Sequence, residues 1–438
     1  MGDVLIDLGE QHGRLPDVAA PGARRHRFRA ALAALAAALL ISLSGAAALP
    51  APAAPVIVPA RLGDTMFVEQ NRLYLVGAGP ELNDPTVNNR IVSMYALPTG
   101  RLLSRTTVAV TGAVFQATSA GDTVLVSYQV DTVGAEATVA LAAGTDRALW
   151  RAPARLLSVS SREGLVLLRE NRPNLGEMHW FGVDLATGRP RWTFEQPVQG
   201  YTTEAGYDDA GFPHRLITAT TAGHIEVRDT ASGALVTAAD VPAPAGWSRR
   251  GVSVWPVGDL MLVGGAGGTT AYALADLGRR WSNDVDLSGR WVQDCAAICV
   301  FGYRGGVQVL DPVTGRVRWS ADRWTAAERA GGYLLVNGNK GLEGSYPLAV
   351  VEPETGALHG DFGEWRTAGT VRADGTVVGL RQRIGDDVVF YALLNPGTLT
   401  ARLLGEATYV SGDCRPTTDV LVCRRLDASV AIWPLTES

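Results

Sequence analysis

The residues whose type and spacing carry the most definite chemistry are the four cysteines. They stand as two local pairs, Cys295 with Cys299 in DCAAIC and Cys414 with Cys423 in DCRPTTDVLVC. A zinc centre would have to gather all four from two distant stretches, with no histidine close by. Four free, buried thiols are the bland alternative. Each pair, however, sits at hairpin spacing, which points to two local disulfides, Cys295–Cys299 and Cys414–Cys423, in an oxidising compartment.

Other chemistry is weaker. Six histidines (His12, His26, His179, His214, His224 and His359) fall in no triad or metal spacing. The glycine-rich VGGAGGTTAYAL, residues 263–274, resembles a phosphate cradle, but such a cradle opens a helix. Here the residues after the glycines alternate like a strand, so the segment reads as a hairpin. The acidic loops at 203–211 and 384–387 and the polar loop at 81–89 lack the converging oxygens of a calcium site and read as solvated loops. The sequence therefore assigns no catalytic, cofactor-binding or metal-binding residue, and no cofactor.

Composition narrows the class. The chain has 438 residues, 47% hydrophobic and 19% charged, with a formal net charge of −5. Lys340 is its one lysine. A nucleic-acid platform would show a basic patch, so no nucleic-acid partner is expected.

The N-terminal part sets the location. Residues 1–27 read as a disordered tail, within which DVLIDLGE (3–10) is either meaningless or a short docking motif. Arg24, Arg25, Arg27 and Arg29 then adjoin an uncharged run, and residues 28–49 are long enough to span a bilayer. The arginines place the tail in the cytoplasm and the remainder outside. The competing reading is a cleaved signal peptide, for which GAAALPAPAAP offers small residues. Residues 50–55 are a stiff spacer in either case.

From residue 56 to 438 one unit recurs. Nine apolar runs start it: 72–79, 123–130, 164–171, 214–221, 259–267, 298–305, 332–339, 376–383 and 419–426. Each is succeeded by a second strand, a turn of the type Asp-x-x-Thr-Gly and a strand that often bears Trp. A strand-only period of 40–50 residues means propeller blades. The expected fold is all-β, a β-propeller of about eight four-stranded blades (seven to nine), preceded by one transmembrane helix. The last unit lacks an outer strand, and residues 55–62 would supply it and close the ring.

The turn is strict at Asp184, Thr187, Gly188 and Trp192, and again at Asp311, Thr314, Gly315 and Trp319. Weaker copies stand at Asp229–Gly233, Glu352–Gly356, Thr99–Gly100 and Asp276–Trp281. These residues resemble the tryptophan-docking motif of the pyrroloquinoline-quinone-like propellers. That resemblance implies eight blades. It does not carry the quinone over, because the quinoprotein dehydrogenases have a catalytic Asp, calcium ligands and a disulfide between adjacent cysteines, none of which can be placed here. The family also includes an outer-membrane assembly lipoprotein that only binds proteins. The expected function is a membrane-anchored, extracytoplasmic scaffold binding an envelope protein or a small ligand. A quinone-dependent or other enzyme, and a sensor signalling through the tail, are the alternatives.

Overall fold

The computed structural model describes residues 54–69, 71–80, 88–131, 134–172, 177–244, 253–265, 267–302, 305–338, 347–383 and 385–435. The tail, the apolar segment and residues 50–53 of the spacer lie outside the described residues. So do His12, His26, Lys340 and residues 81–87 of the polar loop.

Among the described residues, thirty-six strands form nine antiparallel four-stranded sheets. We number these blades in chain order: blade 1 spans 65–110, blade 2 114–152, blade 3 155–196, blade 4 200–240, blade 5 253–283, blade 6 291–321, blade 7 326–361, blade 8 366–407, and blade 9 410–434 together with 56–58. Each of the nine apolar runs is the second strand of a blade. Such strands are covered on both faces, as Thr123–Gln129 illustrates with six of its seven residues buried, and they read as continuous apolar runs for that reason. Fourth strands alternate instead; Arg101–Val110 buries Ser104, Thr106, Val108 and Val110 on one face.

The core lies between blades. Nine apolar clusters each join one blade to the next. The first packs Val92 and Val108 against Val124 and Val139, and the last packs Val420 and Ile432 against Leu73 and Leu75 of blade 1. Nine blades with nine joints make a closed ring.

Closure uses the expected segment. Val56–Val58 is the fourth strand of blade 9, pairing Val56 with Ile432, Ile57 with Ala431 and Val58 with Val430. Arg424 adds a bond from its Nη2 to the Asp64 carbonyl, 2.6 Å. The count is nine, at the top of the range the repeats allow and one above the number the family resemblance implies. The physical reason is that no unit is degenerate: all nine have four strands.

First strands of neighbouring blades touch one another, for example Thr65–Glu69 with Val114–Ala120 and Gly200–Tyr207 with Ser253–Val257. They therefore line the ring's axis. In an up-and-down sheet, the first-to-second and third-to-fourth turns share one face of the ring.

Candidate functional site

The recurring turn is a joint between blades. In blade 3, Asp184 Oδ1 accepts from the Thr187 amide (3.0 Å) and hydroxyl (2.9 Å), and Arg191 donates to Oδ2 at 2.7 Å. In blade 6, Asp311 does the same with Thr314 (2.7 and 2.8 Å) and Arg318 (2.8 Å). These bonds hold Gly188 and Gly315 at positive φ, 67° and 71°, where Gly is free of strain. The bare glycine then seats an indole from the preceding blade. Trp150 lies on Gly188, Trp192 on Gly233, Trp281 on Gly315 and Trp319 on Gly356. Three of the four indoles donate to a turn carbonyl: Trp150 to Leu185 (2.9 Å), Trp281 to Pro312 (2.9 Å) and Trp319 to Pro353 (2.8 Å). Trp192 Nε1 is buried without an acceptor. So Trp192 and Trp319 serve the following blade's turn, not their own. Sequence reasoning misses Trp150 as a docking residue, because the stretch before it, AGTDRALW, lacks the Thr-Gly order.

The remaining joints have a period of three blades. The turn position reads Gly100, Asp146, Gly188, then Gly233, Leu277, Gly315, then Gly356, Leu399, after which blade 9 takes its outer strand from residues 56–58. In the middle blade of each group the glycine is missing. Asp146 instead accepts from the Thr107 amide of blade 1 at 2.6 Å. Leu277 and Leu399 adopt positive φ, 53° each, at a conformational cost for a side chain. Their partners explain them: the facing position, which is Trp in blades 2, 3, 5 and 6, is Thr237 or Gly360. Leu399 packs onto Gly360, so the joint is inverted, with the large residue on the turn and the small one on the strand. Glu69, Glu204 and Glu328 obey the same period, one on the first strand of blades 1, 4 and 7.

Both disulfides are formed, Cys295–Cys299 and Cys414–Cys423, with Cα–Cα distances of 5.9 and 4.1 Å. Each bridges a first-to-second hairpin, in blades 6 and 9, on the face that carries the joints. Cys414 and Cys423 are directly opposed in the ladder. Cys295 and Cys299 are not: Asp294 pairs with Ile298, and Cys295 belongs to the turn, where Ala296 takes φ 67°. Non-reducing peptide mapping is expected to return these two links and no other. Reduction should cost about 2–3 kcal/mol per bridge, because the closed loops are short.

The Asp-centred turns titrate at low pH. The Arg191 hydrogen bond, with Thr187, lowers the Asp184 carboxyl to about 2, and Arg318 with Thr314 holds Asp311 further below the ordinary range. Both folded values lie under the unfolded value of about 3.9. Their contribution is therefore full above about pH 4 and lost as pH falls toward 2. Both turns are exposed, so the effect is modest. The melting temperature of the protein should fall more steeply from pH 4 to pH 2 than that of the double variant Asp184→Asn, Asp311→Asn. Parallel curves would show that the turns do not titrate with folding.

Along the axis, burial raises the carboxyls of Glu69, Glu204 and Glu328 above the usual range. Tyr207 donates to Glu204 Oε2 at 3.3 Å. Large aromatics are exposed at both ends of the first strands: Tyr207 of blade 4 (58%) on the joint face, and three at the opposite end, Tyr201 in blade 4 (47%), Trp291 in blade 6 (45%) and Tyr409 just before blade 9's first strand (60%).

The histidines among the described residues do not converge. His359 stacks on Tyr333, His179 stands 3.9 Å from Glu195, and His224 lies between Asp240 (2.7 Å) and Glu226 (3.5 Å). The glycine-rich segment is the expected hairpin, Leu260–Gly265 pairing with Gly268–Ala273. The acidic stretch at 203–211, expected as a solvated loop, is strand as far as Tyr207 because it pairs with Pro213–Thr220; only beyond it does Asp208 cap a turn, accepting from the Ala210 and Phe212 amides. No group of three metal-ligating side chains occurs among the described residues.

No family model and no curated protein matches the sequence. Solved structures similar to the chain include BamB from Moraxella catarrhalis, at 15% identity and a TM-score of 0.40, covering 73% of this chain and 96% of that one. Dihydro-heme d1 dehydrogenase NirN in complex with DHE is 14% identical, with a TM-score of 0.39, over 70% of this chain and 77% of its own. A computationally designed protein is 13% identical, with a TM-score of 0.44, over 74% and 96%.

Proposed function

We propose that this propeller is a membrane-anchored, extracytoplasmic binding scaffold of the cell envelope, related to the pyrroloquinoline-quinone-like propellers. The observation that carries it is the exposure of Tyr201, Trp291 and Tyr409 at one end of the ring's axis. Exposed Tyr and Trp are the residues that anchor protein interfaces. The opposite face carries the turns, joints and disulfides, which hold the ring together. Two disulfides support an oxidising location. The apolar segment at 28–49, behind its arginines, supports a retained anchor with the tail inside.

The test is crosslinking in living cells with a photoreactive residue at position 201, 291 or 409, and at Val313 on the joint face as control. Val313 is 79% exposed, so access is not the variable. The expected result is capture of one common envelope protein from the first three positions and not from the fourth. Capture equal to background at all four positions would overturn the reading. The intact mass of the isolated chain tests the anchor: loss of residues 1–49 would show cleavage.

A further inference from the structure

The joint between blades 4 and 5 contains an unfilled groove, and its origin is visible in the fourth strands. At the joint between blades 3 and 4, Trp192 and Phe194 stack with their centroids 6.0 Å apart, and Arg228 covers the Phe194 ring, its Cζ 5.2 Å from the centroid. One blade on, the same two positions are Thr237 and Ala239, and the residue at the Arg228 position is Tyr272. Two aromatic rings are replaced by a hydroxyl and a methyl group. Leu277, on its inverted turn, occupies part of the joint and is 4% exposed. A groove of about 390 Å³ remains, which is in the size range of small-ligand sites.

Its lining is chemically divided. Ala239, Val241, Tyr272 and Leu277 form an apolar base, and Asp240 and Arg279 stand at the surface. Asp240 Oδ1 is engaged by His224 Nδ1 at 2.7 Å. Arg279 Nη2 donates to Ser282 Oγ at 2.8 Å. The two opposite charges line one groove, each held by another partner. Such a site matches a molecule that carries an aromatic ring, one cation and one anion.

We propose that this groove binds a free aromatic α-amino acid. Its ring fills the space opened at Ala239, against Tyr272 and Leu277. Its carboxylate meets Arg279, which adds a guanidinium fork suited to that group. Its ammonium meets Asp240. The groove lies on the rim of the ring, away from Tyr201, Trp291 and Tyr409, so a failed crosslinking experiment at those positions does not bear on it.

The test is calorimetric titration of L-tryptophan, L-tyrosine and L-phenylalanine into the full chain, with L-alanine and tryptamine as probes lacking the ring and the carboxylate. At least one aromatic amino acid should bind, and L-alanine should not. Arg279→Gln and Asp240→Asn should each weaken binding by about tenfold or more, as loss of a hydrogen bond to a charged group does. Tryptamine should bind worse than L-tryptophan to the native chain and equally with it to Arg279→Gln. Ala239→Phe, which supplies the ring that blade 3 already carries as Phe194, should abolish binding without lowering the melting temperature. No binding of any aromatic amino acid up to millimolar concentration would overturn the proposal. So would binding that Ala239→Phe leaves unchanged.

Discussion

Trp281→Ala is expected to destabilise the ring by about 3–5 kcal/mol, the usual cost of truncating a buried Trp. The side chain is 7% exposed, covers Gly315 of the next blade and donates to the Pro312 carbonyl at 2.9 Å. Its removal opens a cavity in one of nine joints and orphans that carbonyl. Trp319→Ala should cost less, because the ring is only half-buried, although its bond to Pro353 is lost as well. Trp192→Ala should cost less again by about 1 kcal/mol, since its indole N–H has no acceptor to lose. The complementary change, Gly315→Ala, attacks the same joint from the other side: the residue sits at φ 71°, and a Cβ there would lie 2.5 Å from Trp281 Cδ2. Denaturant unfolding, monitored by fluorescence and circular dichroism together, checks the order. A ring of repeats need not unfold in one step, so coincidence of the two probes is part of the measurement. A change of under a degree in melting for Trp281→Ala would show that the indole is not a joint residue.

The same joints divide what is legible in the sequence from what is not. Second strands are readable because burial on both faces demands unbroken apolar runs, as in Leu165–Arg172, whose first four residues are buried. First strands are not readable. They face the axis, where polar and apolar residues mix, as in Trp291–Asp294 and Val410–Pro416, and several are only three to five residues long. The strict turns are readable because Asp, Thr and Gly each have a local task in them. Trp150 is hidden, since its seat, Gly188, lies in another blade and its own turn uses Asp146. The inverted joints are hidden more deeply. Leu277 and Leu399 hold a conformation that ordinarily signals glycine, and nothing local marks a leucine for it. The requirement comes from the small residue across the joint, as Gly360 beneath Leu399 shows, a contact that exists only once the ring is assembled. The three-blade period is concealed for the same reason: it is a period of joints.

The cysteine pairs and the closing strand are legible for opposite reasons. The disulfides are local, so spacing alone suggests them, although it does not reveal that Cys295 lies in the turn itself. The closing strand is remote, and an absence gives it away: the last unit has three strands, and a propeller blade has four.

That strand carries the second large effect. A chain beginning at Ala54 should fold, and a chain beginning at Ala60 should not remain a monomeric ring. Residues 56–58 supply the fourth strand of blade 9, and Val56 also fills the Gly100 seat of blade 1, where no tryptophan is present. Deleting them removes three consecutive strand pairings, from Val56 with Ile432 to Val58 with Val430. It also takes Val58, 1% exposed, out of the cluster that joins blade 9 to blade 1. Val430–Pro434 is then left as a bare edge, with Ala431 and Ile432 among its buried residues. An exposed apolar edge recruits another chain. The ring would then be held across this joint by side chains such as Arg424, whose bond to the Asp64 carbonyl survives the deletion. Light scattering and thermal melting of the two chains, purified side by side, decide it. Aggregation or a large drop in melting temperature is expected for the shorter one. Equal melting and a monomeric state for both would mean that the ring closes through its side-chain cluster alone.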